Sequence, residues 1–276
     1  MSAIYLCFDD RFAGHARACL NSLRSNFPGH PPLLVDYRGR APHVLSLVDA
    51  HAATRLHPAP PPEFTSALRM TRGRDCALHR FGLWRRGLRE CGPILHLDAD
   101  TLVLGPLDDL FEASQPVFVA NHEADPAVRI FAPECAGDPT LLSRLAEDGL
   151  DYPDAPDDMA NAGVFLLPPS LRTRPQMALL ARLAQRYGAY FAFADQSLLS
   201  LWLRVQGIRP STDFRFNFQT PFFTDPSVDL PFEAIRVLHF SSARKPGTRA
   251  FSQWSRAGPQ RERLTELFHH YRDMTP

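Results

Sequence analysis

The chain has no Cys-x-x-Cys pair, no net charge and no apolar run long enough to cross a bilayer, and each lack removes a class of function. Its five cysteines, Cys7, Cys19, Cys76, Cys91 and Cys135, are odd in number and dispersed. That pattern argues against a zinc site or a disulfide framework and for a reducing, cytoplasmic setting. Lysine plus arginine and aspartate plus glutamate stand at 30 each, so the global basic field of a nucleic-acid binder is missing. No basic segment followed by an apolar core opens the chain, so no signal peptide is expected. No transmembrane segment is expected either. No internal repeat is evident, and no glycine-rich phosphate loop with arginine and lysine lies near the first apolar segment.

What is there suffices for a large core. The 276 residues are 45% hydrophobic, enough for one large α/β domain or two small ones. Ala3-Ile4-Tyr5-Leu6-Cys7-Phe8 reads as a first strand that stops at Asp9-Asp10. Apolar spacing predicts a helix from His15 to Asn26, a strand at Leu33-Leu34-Val35 and a short helix from Val44 to Val48. His57 to Pro62, four of its six residues proline, reads as a rigid linker. A helix is predicted from Cys76 to Leu88, a buried strand from Ile94 to Leu104 and another strand from Pro116 to Ala120. Glu147 to Asp158 reads as a loop, Ala162 to Leu167 as a strand and Pro175 to Tyr187 as a helix. A further helix begins near Asp195, and Val237 to Phe240 is the last strand. The tail from Gln260 to Arg272 places Leu264, Leu267, Phe268 and Tyr271 on one helical face. Strands alternating with helices predict a Rossmann-like α/β fold, a mostly parallel sheet flanked by helices. The second half reads as an elaboration of the first rather than a separate domain.

The strand from Ile94 carries the most informative residues, Asp98-Ala99-Asp100. In extended chain, residues two apart point to the same side, so the two carboxylates can aim together just past the strand's end. Two hard oxygen ligands converging there suggest a divalent cation, at the edge where α/β sheets bind ligands. Aspartates also serve turns and helix caps. Asp108 and Asp109, which follow, read as capping or solvated charge.

Ile94 to Phe111 resembles the metal-binding core of the retaining glycosyltransferases of the glycogenin and lipopolysaccharide-galactosyltransferase family (glycosyltransferase family 8, GT-A fold). Further segments resemble that family in the same order. The end of the first strand, Phe8-Asp9-Asp10, is similar to the family's contact with uracil and ribose, and on its own could equally be a turn with solvated acids. Arg80 and Trp84 are similar to the helix before the metal strand, where a basic residue faces the nucleotide-sugar. Arg80 has the alternative of a surface cation, and Trp84 that of a core residue. Asp158-Met159-Ala160-Asn161-Ala162-Gly163-Val164-Phe165 resembles the segment bordering the donor sugar. Asn161 can both donate to and accept from sugar hydroxyls, and Gly163 lets backbone approach a ligand closely. Asp195-Gln196 resembles a pair at a helix start, where Asp195 could also be a simple N-cap. His239-Phe240-Ser241-Ser242-Ala243-Arg244-Lys245-Pro246 resembles a closing segment whose family pattern has glycine at Ser242 and tryptophan at Gly247.

The resemblance implies a transferase moving a hexose from a UDP-sugar to a glycan or protein acceptor with retention. It implies metal ligation by Asp98, Asp100 and His239, and donor contacts from Phe8, Asp9, Asp10, Arg80, Asp98, Ala99, Asp158, Asn161, Ala162 and Gly163. Lys245 would reach the donor phosphates, and Asp195, Gln196 and Lys245 would serve the reaction. Two carboxylates and an imidazole suit Mn²⁺ better than Ca²⁺, with Mg²⁺ the second candidate. The implied division is a glycosyltransferase domain over 1–258, with a nucleotide-binding half to about 120 and an acceptor and donor-sugar half over 121–258, and a helical tail over 259–276. Two other readings stay open: a sugar-phosphate nucleotidyltransferase, and a catalytically impaired nucleotide-sugar-binding protein. No tyrosine matches a self-glycosylation site, and abundant alanine, arginine and proline hint at a bacterial source and a cell-surface glycan acceptor. The tail, with Arg261, Arg263 and Phe268, has a weak peripheral membrane contact as an alternative to docking on the core.

Overall fold

The computed structural model describes residues 1–56, 64, 75–113, 116–120, 129–152, 159–241, 245–252 and 258–275. The proline-rich stretch from His57 to Pro62 lies outside them, as do Asp158 and Ser242. Strand β1 (Ala3–Phe8) is buried along its whole length. Its side chains alternate between two cores: Ala3, Tyr5 and Cys7 enter one, and Ile4, Leu6 and Phe8 the other. An unbroken apolar run is what a strand covered on both faces requires. Around it lie β2 (Leu33–Tyr37), β3 (Thr54–Leu56), β4 (Ile94–Asp98), β6 (Val117–Ala120) and β7 (Ala160–Leu167). The sheet order is β3-β2-β1-β4-β7-β6. The first four strands of that order are mutually parallel, and β7 runs antiparallel to both its neighbours. The sheet is therefore mostly parallel, as the alternating pattern predicts.

A second, three-stranded sheet decides the site. Strand β5 (Thr101–Val103) pairs antiparallel with β9 (Val237–His239), and β9 pairs parallel with β8 (Phe218–Gln219). The run from Ile94 to Leu104 is thus not one strand. It leaves the first sheet after Asp98, turns through Ala99 and Asp100, and enters the second sheet at Thr101. The Thr101 hydroxyl donates to the Asp98 carbonyl at 2.8 Å and closes the turn.

Helices α1 (Ala13–Asn26) and α2 (Pro42–Ala50) cover one face. The helix expected from Cys76 to Leu88 is instead 3-10, over Asp75–Trp84 and Arg86–Leu88. The apolar residues Leu78, Phe81 and Trp84 recur every three positions and are all buried, which fits three residues per turn. Helices α3 (Asp108–Glu112) and α4 (Pro139–Glu147) follow, with Asp108 and Asp109 exposed in the first turn of α3. Sequence spacing was silent on α4, although Asp138 caps it through Thr140 N and Leu141 N and Pro139 opens it. Helices α5 (Arg174–Tyr187) and α6 (Ala194–Val205) close the other face. Before α5, the fully buried Arg172 donates to the carbonyls of Leu88, Cys91 and Gly92, which clamps the chain entering β4.

The short α7 (Arg249–Ser252) precedes the tail helix α8 (Gly258–Asp273). Leu264, Phe268 and Tyr271 of α8 are buried in a third core with Ala18, Phe240 and Phe251. Asn21 Nδ2 donates to the carbonyls of Tyr271 at 2.8 Å and Met274 at 3.1 Å. The apolar face of the tail is docked, and Phe268, named above for a membrane contact, is in the core.

Candidate active site

Asp98 and Asp100 converge because the chain changes sheets between them, not through strand alternation. Asp98 is the last residue of β4, and Asp100 lies in the turn. The antiparallel register sets Thr101 opposite His239, and Phe240 N donates to the Asp100 carbonyl at 2.9 Å. The His239 ring is thereby brought to both acids: Nε2 lies 3.5 Å from Asp100 Oδ1 and 4.0 Å from Asp98 Oδ2. One ligand atom from each of the three residues lies within 4.8 Å of the others.

Every one of these groups is held from behind. Arg80 Nη2 donates to Asp98 at 3.0 and 3.3 Å, its Nε lies 3.1 Å from Asp195 Oδ2, and Nη1 donates to the Ala162 carbonyl. His96 Nε2 lies 3.0 Å from Asp98 Oδ1. Burial pushes the His96 ring below the usual histidine value, against the pull of the Asp98 carboxylate beside it. Burial opposes ionisation of Asp98, yet the Arg80 guanidinium and the His96 hydrogen bond bring its carboxyl down to about 2. Burial opposes ionisation of Asp100 too, and Lys245, whose Nζ donates to Oδ2, holds it well below the carboxylate range. Both acids are therefore anionic at neutral pH. Lys245 Nζ also donates to the Phe240 carbonyl at 2.8 Å, so the loop after β9 is tied to the acids.

Behind His239 lies a chain of side-chain amides. His239 Nδ1 sits 3.0 Å from Asn217 Oδ1, and Asn217 Nδ2 donates to Asn161 Oδ1 at 3.0 Å. Asn161 Nδ2 donates to Gln219 Oε1 at 3.1 Å and to Gln196 Oε1 at 3.4 Å. Gly163 N donates to Asn161 Oδ1 at 2.8 Å, and Ala162 N to Gln196 Oε1 at 3.4 Å. The glycine at 163 makes room for the histidine ring. A Cβ there would meet His239 Cε1 at 2.1 Å and Nδ1 at 2.6 Å.

The structure therefore gathers Arg80, Asp98, Asp100, Asn161, Ala162, Gly163, Asp195, Gln196, His239 and Lys245 into one place. Other expected residues are engaged differently. Phe8 is buried against the Tyr37 ring, and Ala99 is a core residue. Asp9 caps a 3-10 turn and pairs with Arg11, while Asp10 accepts from the Tyr37 hydroxyl and from Arg40 N at 3.4 Å. That hydroxyl bond lowers the Asp10 carboxyl below its ordinary value. Gly247, which departs from the family pattern, has a left-handed φ of +86°, where tryptophan would be strained. His96, Asn217 and Gln219 were missed by sequence reasoning. A signal existed for His96 alone, two residues before Asp98 on the same strand face.

No protein-family model matches the chain, and no curated protein matches it in sequence. Solved structures do. The galactosyltransferase LgtC, in complex with donor and acceptor sugar analogues, is 18% identical with a TM-score of 0.65, over 100% of this chain and 98% of that one. The fold is that of the GT-A glycosyltransferases. The bifunctional glycosyltransferase WbbM shares this GT-A fold over 100% of this chain and 50% of its own, at 15% identity and a TM-score of 0.62. The glycosyltransferase GlyE of Streptococcus pneumoniae TIGR4 shares it over 97% and 63%, at 17% identity and a TM-score of 0.57. The GT-A fold is thus held with little sequence in common.

The donor set can be tested against a divalent ion on its own chemistry. Asp98 and Asp100 are ionised, and His239 offers a nitrogen between them. Ligand atoms roughly 2.1 Å from a common ion lie about 3–4 Å apart, close to the spacings found. Two hard oxygens and one imidazole fit Mn²⁺ or Mg²⁺ and leave coordination positions for a ligand.

Proposed function

We propose that this protein is a metal-dependent retaining glycosyltransferase that moves a hexose from a UDP-sugar to a glycan or protein acceptor. The observation that carries it is the meeting of Asp98, Asp100 and His239, from two sheets and distant parts of the chain, within 4.8 Å. The fold shared with LgtC, solved with donor and acceptor sugar analogues, supports it. Mn²⁺, or Mg²⁺, would be held by those three residues and supply Lewis-acid neutralisation of the diphosphate. Residues 1–120 would bind the nucleotide, 121–258 the donor sugar and acceptor, and 259–276 would brace the fold.

Cleavage of the anomeric C–O bond puts negative charge on the leaving UDP. The Lys245 ammonium, tethered beside Asp100, neutralises that charge as it develops. Arg80 keeps Asp98 ionised and fixes Asp195 in place. Asp195, Asn161 and Gln196 orient the sugar through its hydroxyls as the ring becomes oxocarbenium-like. For LgtC a glutamine-to-glutamate change is described as an active-site mutation, which suits Gln196 at this centre. Gln196 is a poor nucleophile, and Asp195 is drawn to Arg80. Retention is assigned to attack by the acceptor on the face UDP leaves, with a departing phosphate oxygen taking the acceptor's proton. Phe8, Asp9, Asp10 and Asp158 are kept as nucleoside and sugar contacts, Asp158 lying outside the described residues.

A nucleotidyltransferase fits less well, because the turn after β1 presents two acids where a phosphate loop needs N–H donors. A UDP-sugar panel assayed for hydrolysis, with Mn²⁺ and with a chelator, tests the proposal. Turnover of one donor that disappears with chelator and in Asp100→Ala is expected. Equal turnover in Asp100→Ala would remove the metal site from the mechanism, and UDP binding without turnover of any donor would favour the impaired-binding reading.

A further inference from the structure

We propose that Asn217 is a positioning residue that fixes the proton of the neutral His239 ring on Nδ1, leaving the Nε2 lone pair aimed between Asp98 and Asp100. Its use in metal binding rests on the function proposed above; the proton's position does not. Gly163 N can only donate, so the atom it meets at 2.8 Å on Asn161 is the carbonyl oxygen. The atom of Asn217 that lies 3.0 Å from this same oxygen must then be the NH₂ group. Asn217 is thereby oriented, and its oxygen faces His239 Nδ1 at 3.0 Å. An amide oxygen only accepts, so Nδ1 carries a proton. A second backbone donor, Ala162 N, meets Gln196 Oε1 at 3.4 Å, and Asn161 Nδ2 turns to that oxygen and to Gln219 Oε1. The amides are thus oriented consistently from two backbone anchors.

The fold supplies the relay from separate places. Asn217 ends the 3-10 turn Phe214–Phe216, immediately before β8, and β8 sets Gln219 beside His239 in register. Asn161 and Gly163 come from β7. Asn217 is fully buried, and Asn161 and His239 nearly so, so water does not compete for these bonds. In the other tautomer Nε2 would carry the proton, unable to ligate, and Nδ1 would face the Asn217 oxygen lone pair to lone pair. Groups behind a metal-bound imidazole that set its tautomer change affinity by about 10–100-fold.

The test has two independent readouts. In ¹⁵N spectra of metal-free protein, recorded where the spectrum itself shows a single ring proton, His239 is expected to show a protonated Nδ1 and an unprotonated Nε2. A protonated Nε2 in the wild-type protein overturns the inference whatever the metal does. Asn217→Leu is expected to weaken Mn²⁺ binding by calorimetry about 10–100-fold, with the ¹⁵N pattern lost, and Asn217→Asp, which keeps an acceptor at Nδ1 while losing the donor to Asn161, to keep the proton on Nδ1. Unchanged Mn²⁺ affinity in Asn217→Leu also overturns it. If Asn217→Leu fails to fold, the wild-type spectrum and Asn217→Asp decide. Wild-type protein that binds no Mn²⁺ yet shows the Nδ1–H form would sink the metal reading and leave the proton assignment standing.

Discussion

Gly163→Ala should eject the His239 imidazole from the site while adding only one methyl group. The new Cβ would lie 2.1 Å from His239 Cε1, where ordinary contact begins at 3.4 Å. The ring would have to retreat by about 1.3 Å, yet it is buried and held at Nδ1 by Asn217 at 3.0 Å. Overpacking of this kind costs about 1–3 kcal/mol. For a domain of this size that lowers the melting temperature by about 2–10 °C. The larger consequence falls on the metal, because a ring displaced by that much no longer holds Nε2 at its present distances from Asp98 and Asp100. Mn²⁺ affinity should drop by tenfold or more, which is about 1.4 kcal/mol per decade. Calorimetric titration with Mn²⁺, beside thermal unfolding, measures both. Gly137→Ala is the control, since a Cβ there meets nothing within 4 Å. Wild-type Mn²⁺ affinity and melting temperature in Gly163→Ala would refute the reasoning from the glycine to the histidine.

Other perturbations separate the remaining roles. Lys245→Ala should reduce kcat by about 10²–10³ on the preferred donor, as expected for loss of a group that meets developing charge; a change confined to acceptor KM would mean its role is misassigned. Stability should respond to pH through two buried groups of opposite sign. Burial raises the Asp36 carboxyl to about 6, so it keeps its proton in the folded chain above its unfolded value near 3.9, and stability falls by about 3 kcal/mol as pH rises through that window. Burial lowers His51 to about 4, so the folded ring stays neutral where the unfolded one protonates near 6.5, and stability rises by about 3 kcal/mol over an overlapping range. Urea unfolding across pH should show a rise alone in Asp36→Asn and a fall alone in His51→Gln; parallel curves for both variants would discard the assignment. Asn21→Ala, which strips two hydrogen bonds from the end of α8 and the partner of His51, should cost about 1–3 kcal/mol in the same assay.

Local pattern was enough for the elements that a single stretch of chain defines. The unbroken apolar run of β1 announced a strand covered on both faces, and α1, α5 and α6 were visible in their spacing. The Asp-x-Asp pair, the Asn-x-Gly segment and the distant His-Phe…Lys-Pro were legible as a set, and the structure brings their side chains together. Where pattern misled, two periodicities were competing. Leu78, Phe81 and Trp84 fit a 3-10 repeat within a sequence that also fits an α-helix. Ile94 to Leu104 has apolar residues on both sides of Asp98-Ala99-Asp100-Thr101 and carries no glycine or proline, so no turn signal marks the point at which it changes sheets.

The sequence by itself determined which chemistry was on offer: two acids, an imidazole, a lysine and an arginine, carried on α/β elements in a known order. Only the tertiary structure decided what each would do. It made Gly163 a seat for the His239 ring and set Asn217 behind that ring. It also left Asp9 and Asp10 bonded to Arg11 and Tyr37. The reason is range: periodicity reports contacts a few residues apart, whereas Arg80 with Asp195 and Asn161 with Asn217 are joined only when separate strands and helices pack.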